Sequence, residues 1–149
     1  MKVPIDFLQI NSNLRIVLPA ILLIVLSACS QKVSFQQSSV VPAAQGTIKV
    51  KKDKNSNYAI DIDVVHLASP DRLQPAKKTY VVWMETKDNS TKNIGQLSSS
   101  GSLLSKALKG SLKTVTSFNP LRFFITAEDD ASIQYPGMQV ILTSEKLKN

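Results

Sequence analysis

The chain has 149 residues and a formal charge of +7, with 43% hydrophobic and 6% aromatic residues. That size and composition suit one globular domain with a real core rather than several domains. A single cysteine and a single histidine exclude an internal disulfide and a metal site built from histidines.

In chain order, the first feature is an address. Lys2 and Arg15 precede the apolar run "IVLPAILLIVL" at residues 16–26. The run is shorter than the ~20 apolar residues of a membrane-spanning helix, and Pro19 interrupts it. A basic start, a short apolar run and small residues after it form the pattern of a secretory signal. The next residues are Leu26, Ser27, Ala28 and Cys29. This quartet resembles the lipobox of bacterial lipoproteins. Small side chains let the backbone enter a peptidase site, and the thiol is the nucleophile that accepts lipid. The resemblance implies that residues 1–28 are a signal peptide removed before Cys29. It implies a diacylglycerol on the Cys29 sulfur and an acyl chain on the new amino end, with no other cofactor. Several chains on one residue give a stable anchor where a single chain does not. By the same resemblance, Ser30 favours the outer membrane in a host with two membranes.

Residues 29–45 then read as the lipidated end and a polar linker. Half of "SQKVSFQQSSVVPAAQ" is Ser or Gln, with no regular apolar period. The expectation is a flexible tether reaching about 50 Å at ~3.3 Å per residue if fully extended.

From residue 46 to 149 the pattern is that of a β domain. "TIKVKK" alternates at Ile48 and Val50, and "YAIDIDVVHL" places Tyr58, Ile60, Ile62 and Val64 opposite Asp61 and Asp63. That is a half-buried strand with a wet face. "KDKNSN" between them reads as a hairpin turn. "TYVVWMET" is apolar on both faces, as a central strand covered on both sides would be. A short strand is expected around Ile94. Residues 98–110, "SSSGSLLSKALKG", suit either one or two helical turns or a long loop. "SLKTVTSF", "LRFFITAE" and "MQVILTSE" read as strands, with a turn region "EDDASIQYPG" before the last. About seven short antiparallel strands with turns between predict an all-β sandwich of immunoglobulin or fibronectin type.

"YVVWMET", "NIGQL" and "FFITAEDDASIQYPGMQVIL" resemble the extracytoplasmic C-terminal domain of anti-sigma-K-factor-type proteins. The matching positions are Tyr80, Trp83, Gly95, Thr126, Glu128 and Pro136. The resemblance implies the sandwich fold. Everything before Cys29 is expected to be signal rather than a cytoplasmic sigma-binding domain, so the resemblance supports the fold and not the sigma-factor activity.

Candidate chemistry is sparse. His66 could act as a general base near Asp63 or Glu85, but no nucleophile motif accompanies it, and a polar strand-end residue is the simpler reading. Asp61, Asp63, Glu128, Asp129 and Asp130 lack the spacing of a calcium loop and read as a solvated acidic surface. Trp83 could be a sugar-stacking platform, yet its neighbours favour a buried ring. Lys49, Lys51, Lys52 and Lys54 form a possible basic patch, with Lys77 and Lys78 in a later loop. Without interleaved aromatics the patch points to anionic lipid or an acidic polymer, not nucleic acid. The expectation is a non-enzymatic envelope lipoprotein with no catalytic or metal residues, held to the membrane by lipid and contacting an envelope protein or polymer. The alternative is a regulatory lipoprotein related to anti-sigma-factor ectodomains, acting on a transmembrane signalling partner.

Overall fold

A computed structural model describes residues 30–101 and 108–148. Its strands are β1 (Ser30–Ser34), β2 (Gln45–Lys52), β3 (Tyr58–Leu67), β4 (Thr79–Thr86), β5 (Thr91–Gln96), β6 (Ser98–Gly101), β7 (Leu108–Thr116), β8 (Pro120–Glu128) and β9 (Val140–Thr143). They form a five-stranded sheet in the order β1-β2-β3-β7-β6 and a four-stranded sheet in the order β5-β4-β8-β9. All pairings are antiparallel.

The strand order gives the sandwich its type. Taking β2, β3, β4, β5, β6, β7, β8 and β9 as A, B, C, C′, D, E, F and G yields sheets A-B-E-D and C′-C-F-G. That is the immunoglobulin arrangement, with β1 added outside A. The core lies between the sheets. From the first come Ile48, Val50, Ile60, Ile62, Val64 and Leu67, and from the second Tyr80, Val82, Met84, Phe123, Ile125 and Ala127. Burying a side chain such as Ile62 contributes about 1.5–3 kcal/mol. In β3 the period-two pattern holds as expected: Ile60, Ile62 and Val64 are buried, while Asp61 and Asp63 sit on the wetter outer face. In β4 nearly every residue is buried, as suits the central strand read from the sequence.

The expected tether is corrected. Residues 30–34 are a strand in full register with β2, from Ser30 opposite Lys51 to Ser34 opposite Thr47. Val33 packs against the core. The following residues cross from one sheet to the other: the Phe35 N–H donates to Gly46 O and the Gln36 N–H to Thr143 O. Ser38 is buried and its hydroxyl accepts from the Val40 and Val41 N–H groups, and Val41 and Ala44 join the core. Gly46 permits the crossing, because a Cβ there would lie 2.8 Å from the Phe35 ring and 2.9 Å from Asp63 O. An edge strand buries little, so one apolar residue in five sufficed and left no period to read.

The stretch at 98–110 is also corrected in part. Residues 98–101 are β6 and residue 108 starts β7, while 102–107 lie outside the described residues, as do 1–29. With β1 and β6 added, the seven expected strands become nine among the described residues.

Pairing defines two ends. At the base lie the β2–β3 turn, the β4–β5 turn and the β7–β8 turn, since Lys52 faces Tyr58, Thr86 faces Pro120 and Tyr58 faces Thr116. Ser30, opposite Lys51, stands at this same end. So does Lys148, whose carbonyl oxygen accepts from the Gln31 side chain at 2.9 Å. The β3–β4 and β8–β9 connections leave from the far end.

Candidate functional site

The outer face of the second sheet carries Trp83, Thr126 and Glu128, three of the six positions singled out in the sequence. Strand alternation sends Tyr80, Val82 and Met84 into the main core and Val81, Trp83 and Glu85 to the opposite face. Trp83 is nonetheless fully buried. Its indole N–H donates to Thr126 Oγ1 at 2.8 Å, and its ring stacks on Phe124 at 6.2 Å between centroids. The expectation of a buried Trp83 holds, and the sugar platform is excluded. Immunoglobulin domains also place a tryptophan on strand C, but here it lies outside the main core cluster.

Beside Trp83 the β8–β9 connection, residues 129–139, is tied down. Asn93, paired with Trp83 across β4–β5, donates from Nδ2 to Ala131 O and Ile133 O, both at 2.9 Å. Glu128, 6% exposed, accepts from the Gly137 N–H at 2.7 Å. Asp130 accepts from the Ser132 backbone N–H and hydroxyl, both at 2.8 Å. Those bonds hold the Asp130 carboxyl below its ordinary value, the Ser132 backbone bond foremost.

Each resemblance position therefore has a place. The Tyr80 hydroxyl donates to Ala68 O at 2.9 Å, and burial, with help from the Asp71 charge, pushes its phenol up to about 12. Gly95 takes φ +134° where the β4–β5 register shifts, and a Cβ there would sit 3.2 Å from Leu112. Thr126 holds the indole, and Glu128 holds the loop. Pro136 precedes Gly137, the residue Glu128 grips.

This braced loop presents Tyr135, 84% exposed, and Met138, fully exposed, with Val140 beside them. Sequence reasoning passed over both, Tyr135 as part of a turn region and Met138 as the first residue of the last strand. The available signal was two large apolar residues flanking Pro136-Gly137, where solvated turns favour small polar ones. A shallow recess of about 660 Å3 runs between Tyr135, Ser132 and the β5 residues Lys92 and Asn93.

The lysines divide into two groups rather than one patch. Lys49 and Lys51 lie on the outer face of the first sheet with Lys32 and Lys113, where Lys113 Nζ stands 3.6 Å from Asp61 Oδ2. Lys52 and Lys54 belong to the base, with Lys52 Nζ 5.5 Å from the Tyr58 ring centroid. Lys77 is at the far end, paired with Asp129 at 2.7 Å.

The residues weighed for hydrolysis do not converge. His66 is exposed, with φ 59° in the β3 irregularity at the far end. Glu85 is on the other sheet near the base, held bidentately by Arg122 at 2.6 and 3.0 Å. Among the described residues no three His, Cys, Asp or Glu side chains cluster as a metal would need. No helix there is long and apolar enough to cross a membrane. Leu26, Ser27, Ala28 and Cys29 lie outside the described residues. No protein-family model, no curated protein and no solved structure matches this chain.

Proposed function

We propose that the chain is a lipid-anchored protein of the bacterial cell envelope, outer-membrane in a two-membraned host, whose β-sandwich is a non-enzymatic module for binding or structural interaction. Cys29 would carry the diacylglycerol and the N-acyl chain. The observation that carries the reading is in the sequence: Leu26, Ser27, Ala28 and Cys29 follow directly on the short apolar run at residues 16–26.

The braced loop supports the interaction half. A loop fixed by Asn93 and Glu128 presents Tyr135 and Met138 without a large ordering cost on binding. Aromatic residues and methionine are enriched at protein interfaces. By its place in the sandwich it is the F–G connection, which in antibody variable domains is a binding loop; that parallel is one of architecture only.

Photo-crosslinking in intact cells tests this. A crosslinking residue at position 135 is expected to yield a discrete adduct with an envelope protein, absent from a matched probe at Val115 on the opposite sheet. Identical patterns from both positions, or none, would count against an interaction role for this loop.

A further inference from the structure

The loss of the tether changes where the domain sits. If Cys29 holds the lipid, the attachment point is one residue from β1, a Cα step of about 3.8 Å. The base of the sandwich is then within a Debye length, about 8–10 Å, of the headgroups. Resting on the lipoprotein reading in this respect, we propose that the base of the sandwich docks directly on anionic phospholipid.

The charge on that end fits. The turns and chain ends gathered there carry Lys52, Lys54, Lys87 and Lys148 against Asp53 and Asp88. The two aspartates are engaged by their own turns. Asp53 accepts from the Asn55 and Asn57 N–H groups, both at 2.8 Å, and Asp88 accepts from the Thr86 hydroxyl. The far end mixes both signs, with Asp71, Asp129 and Asp130 among Arg72, Lys77 and Lys78.

Shape fits as well. The two sheets part at the base around a recess of about 270 Å3. Lys52, Lys87 and Lys148 line it over apolar walls that include Tyr58 and Leu147, enough for a lipid phosphate with its glycerol against the wall. On the adjacent β7–β8 turn Phe118 is 47% exposed, with Lys92 Nζ 4.9 Å from its ring centroid. An aromatic ring among lysines is the composition of a surface that settles into the headgroup layer. The lipid supplies one signal and the basic end the second, the pairing that stable anchoring uses.

The full chain, reconstituted in vesicles of phosphatidylcholine alone or with phosphatidylglycerol, tests the docking by amide hydrogen exchange. Protection is expected at residues 53–57, 87–90 and 117–119 on the anionic vesicles only, and lost at high salt. A second arm uses the Cys29→Ala chain, which carries no lipid. Its affinity for anionic vesicles should fall roughly a hundredfold on adding Lys52→Gln, Lys54→Gln and Lys148→Gln, from the electrostatic contribution of each lysine near an anionic surface. Exposed Lys→Gln changes leave folding nearly untouched. If Cys29 is not acylated, wild type and Cys29→Ala bind alike while the charge dependence persists, so only the lipoprotein reading fails. Protection indifferent to lipid charge, protection at the far end instead, or lysine-dependent binding to a soluble acidic polymer but not to vesicles overturns the docking.

Discussion

The grip of Glu128 on Gly137 invites a double-mutant cycle. The carboxylate is buried and accepts the Gly137 N–H at 2.7 Å. A charge-assisted hydrogen bond of this kind is worth about 1.5–3 kcal/mol. Glu128→Ala should therefore destabilise by about 2 kcal/mol, a sizeable part of the ~5–15 kcal/mol that holds a domain folded. With a urea m-value of ~1–3 kcal/mol/M, the midpoint moves down by about 1 M. Gly137→Ala attacks the same bond from the other side. Its Cβ would lie 2.6 Å from Glu128 Oε2 and 2.9 Å from Oε1, so the carboxylate must leave and the bond is lost. The net cost is about 1–2 kcal/mol, because alanine also restricts the unfolded chain by about 0.4–1 kcal/mol. Among the described glycines only Gly95 has a positive φ, so alanine meets no backbone strain at 137. In the Glu128→Ala background the obstacle is gone, and Gly137→Ala should become neutral or slightly stabilising. Urea denaturation of the four proteins measures this. Costs that add within about 0.3–0.5 kcal/mol would show that the two residues act independently and refute the clamp.

Other sites give sharp expectations. Trp83→Phe strands the buried Thr126 hydroxyl and should cost about 1–3 kcal/mol, with Thr126→Val restoring part of it; equal cost with and without Thr126 would deny the bond. Tryptophan emission of the native protein should be blue-shifted and resist acrylamide, because Trp83 is the sole tryptophan and 0% exposed. Gly95→Ala forces a residue to φ +134° against Leu112 and should cost about 1–3 kcal/mol, readable as a lower thermal midpoint. The Tyr80 phenol is raised from 10.0 to about 12, so the unfolded state releases that proton first. Stability is then intact below pH 10 and falls between pH 10 and about 12, by an order of 2–3 kcal/mol over the interval. Tyr80→Phe should remove that alkaline decline. In the acid range, Asp53, Asp88 and Asp130 are held below 3.8, chiefly by hydrogen bonds from their turns. What they contribute is present above that pH and is lost as pH falls through their lowered values; Asp53→Asn should blunt the acid decline.

How far the sequence could be read depended on burial. β3 was legible because one face is wet, so its period is clean. β4 was legible as a central strand, but a strand apolar on both faces does not say which face meets the core. Trp83 was thus expected to be buried and is, on the side away from the main core cluster. β1 and β6 escaped notice for the same reason: "SQKVS" offers Val33 alone and "SSSG" offers no apolar side chain. Their place is set by neighbours distant in the chain. The basal recess was beyond reach, since it joins Gln31 to Lys148, and adjacent lysines such as Lys51 and Lys52 point to different faces. The lysine run was visible in sequence; its division between a sheet face and an end needed the strand register.

The state of Cys29 is the most direct test of the lipid anchor. Mass spectrometry of the protein extracted from its own membranes should find a chain that begins at Cys29 and carries a diacylglycerol and an acyl group. Labelled fatty acid should enter the wild type and not Cys29→Ala. A mature chain that retains residues before Cys29, or that bears a free thiol there, would contradict the account.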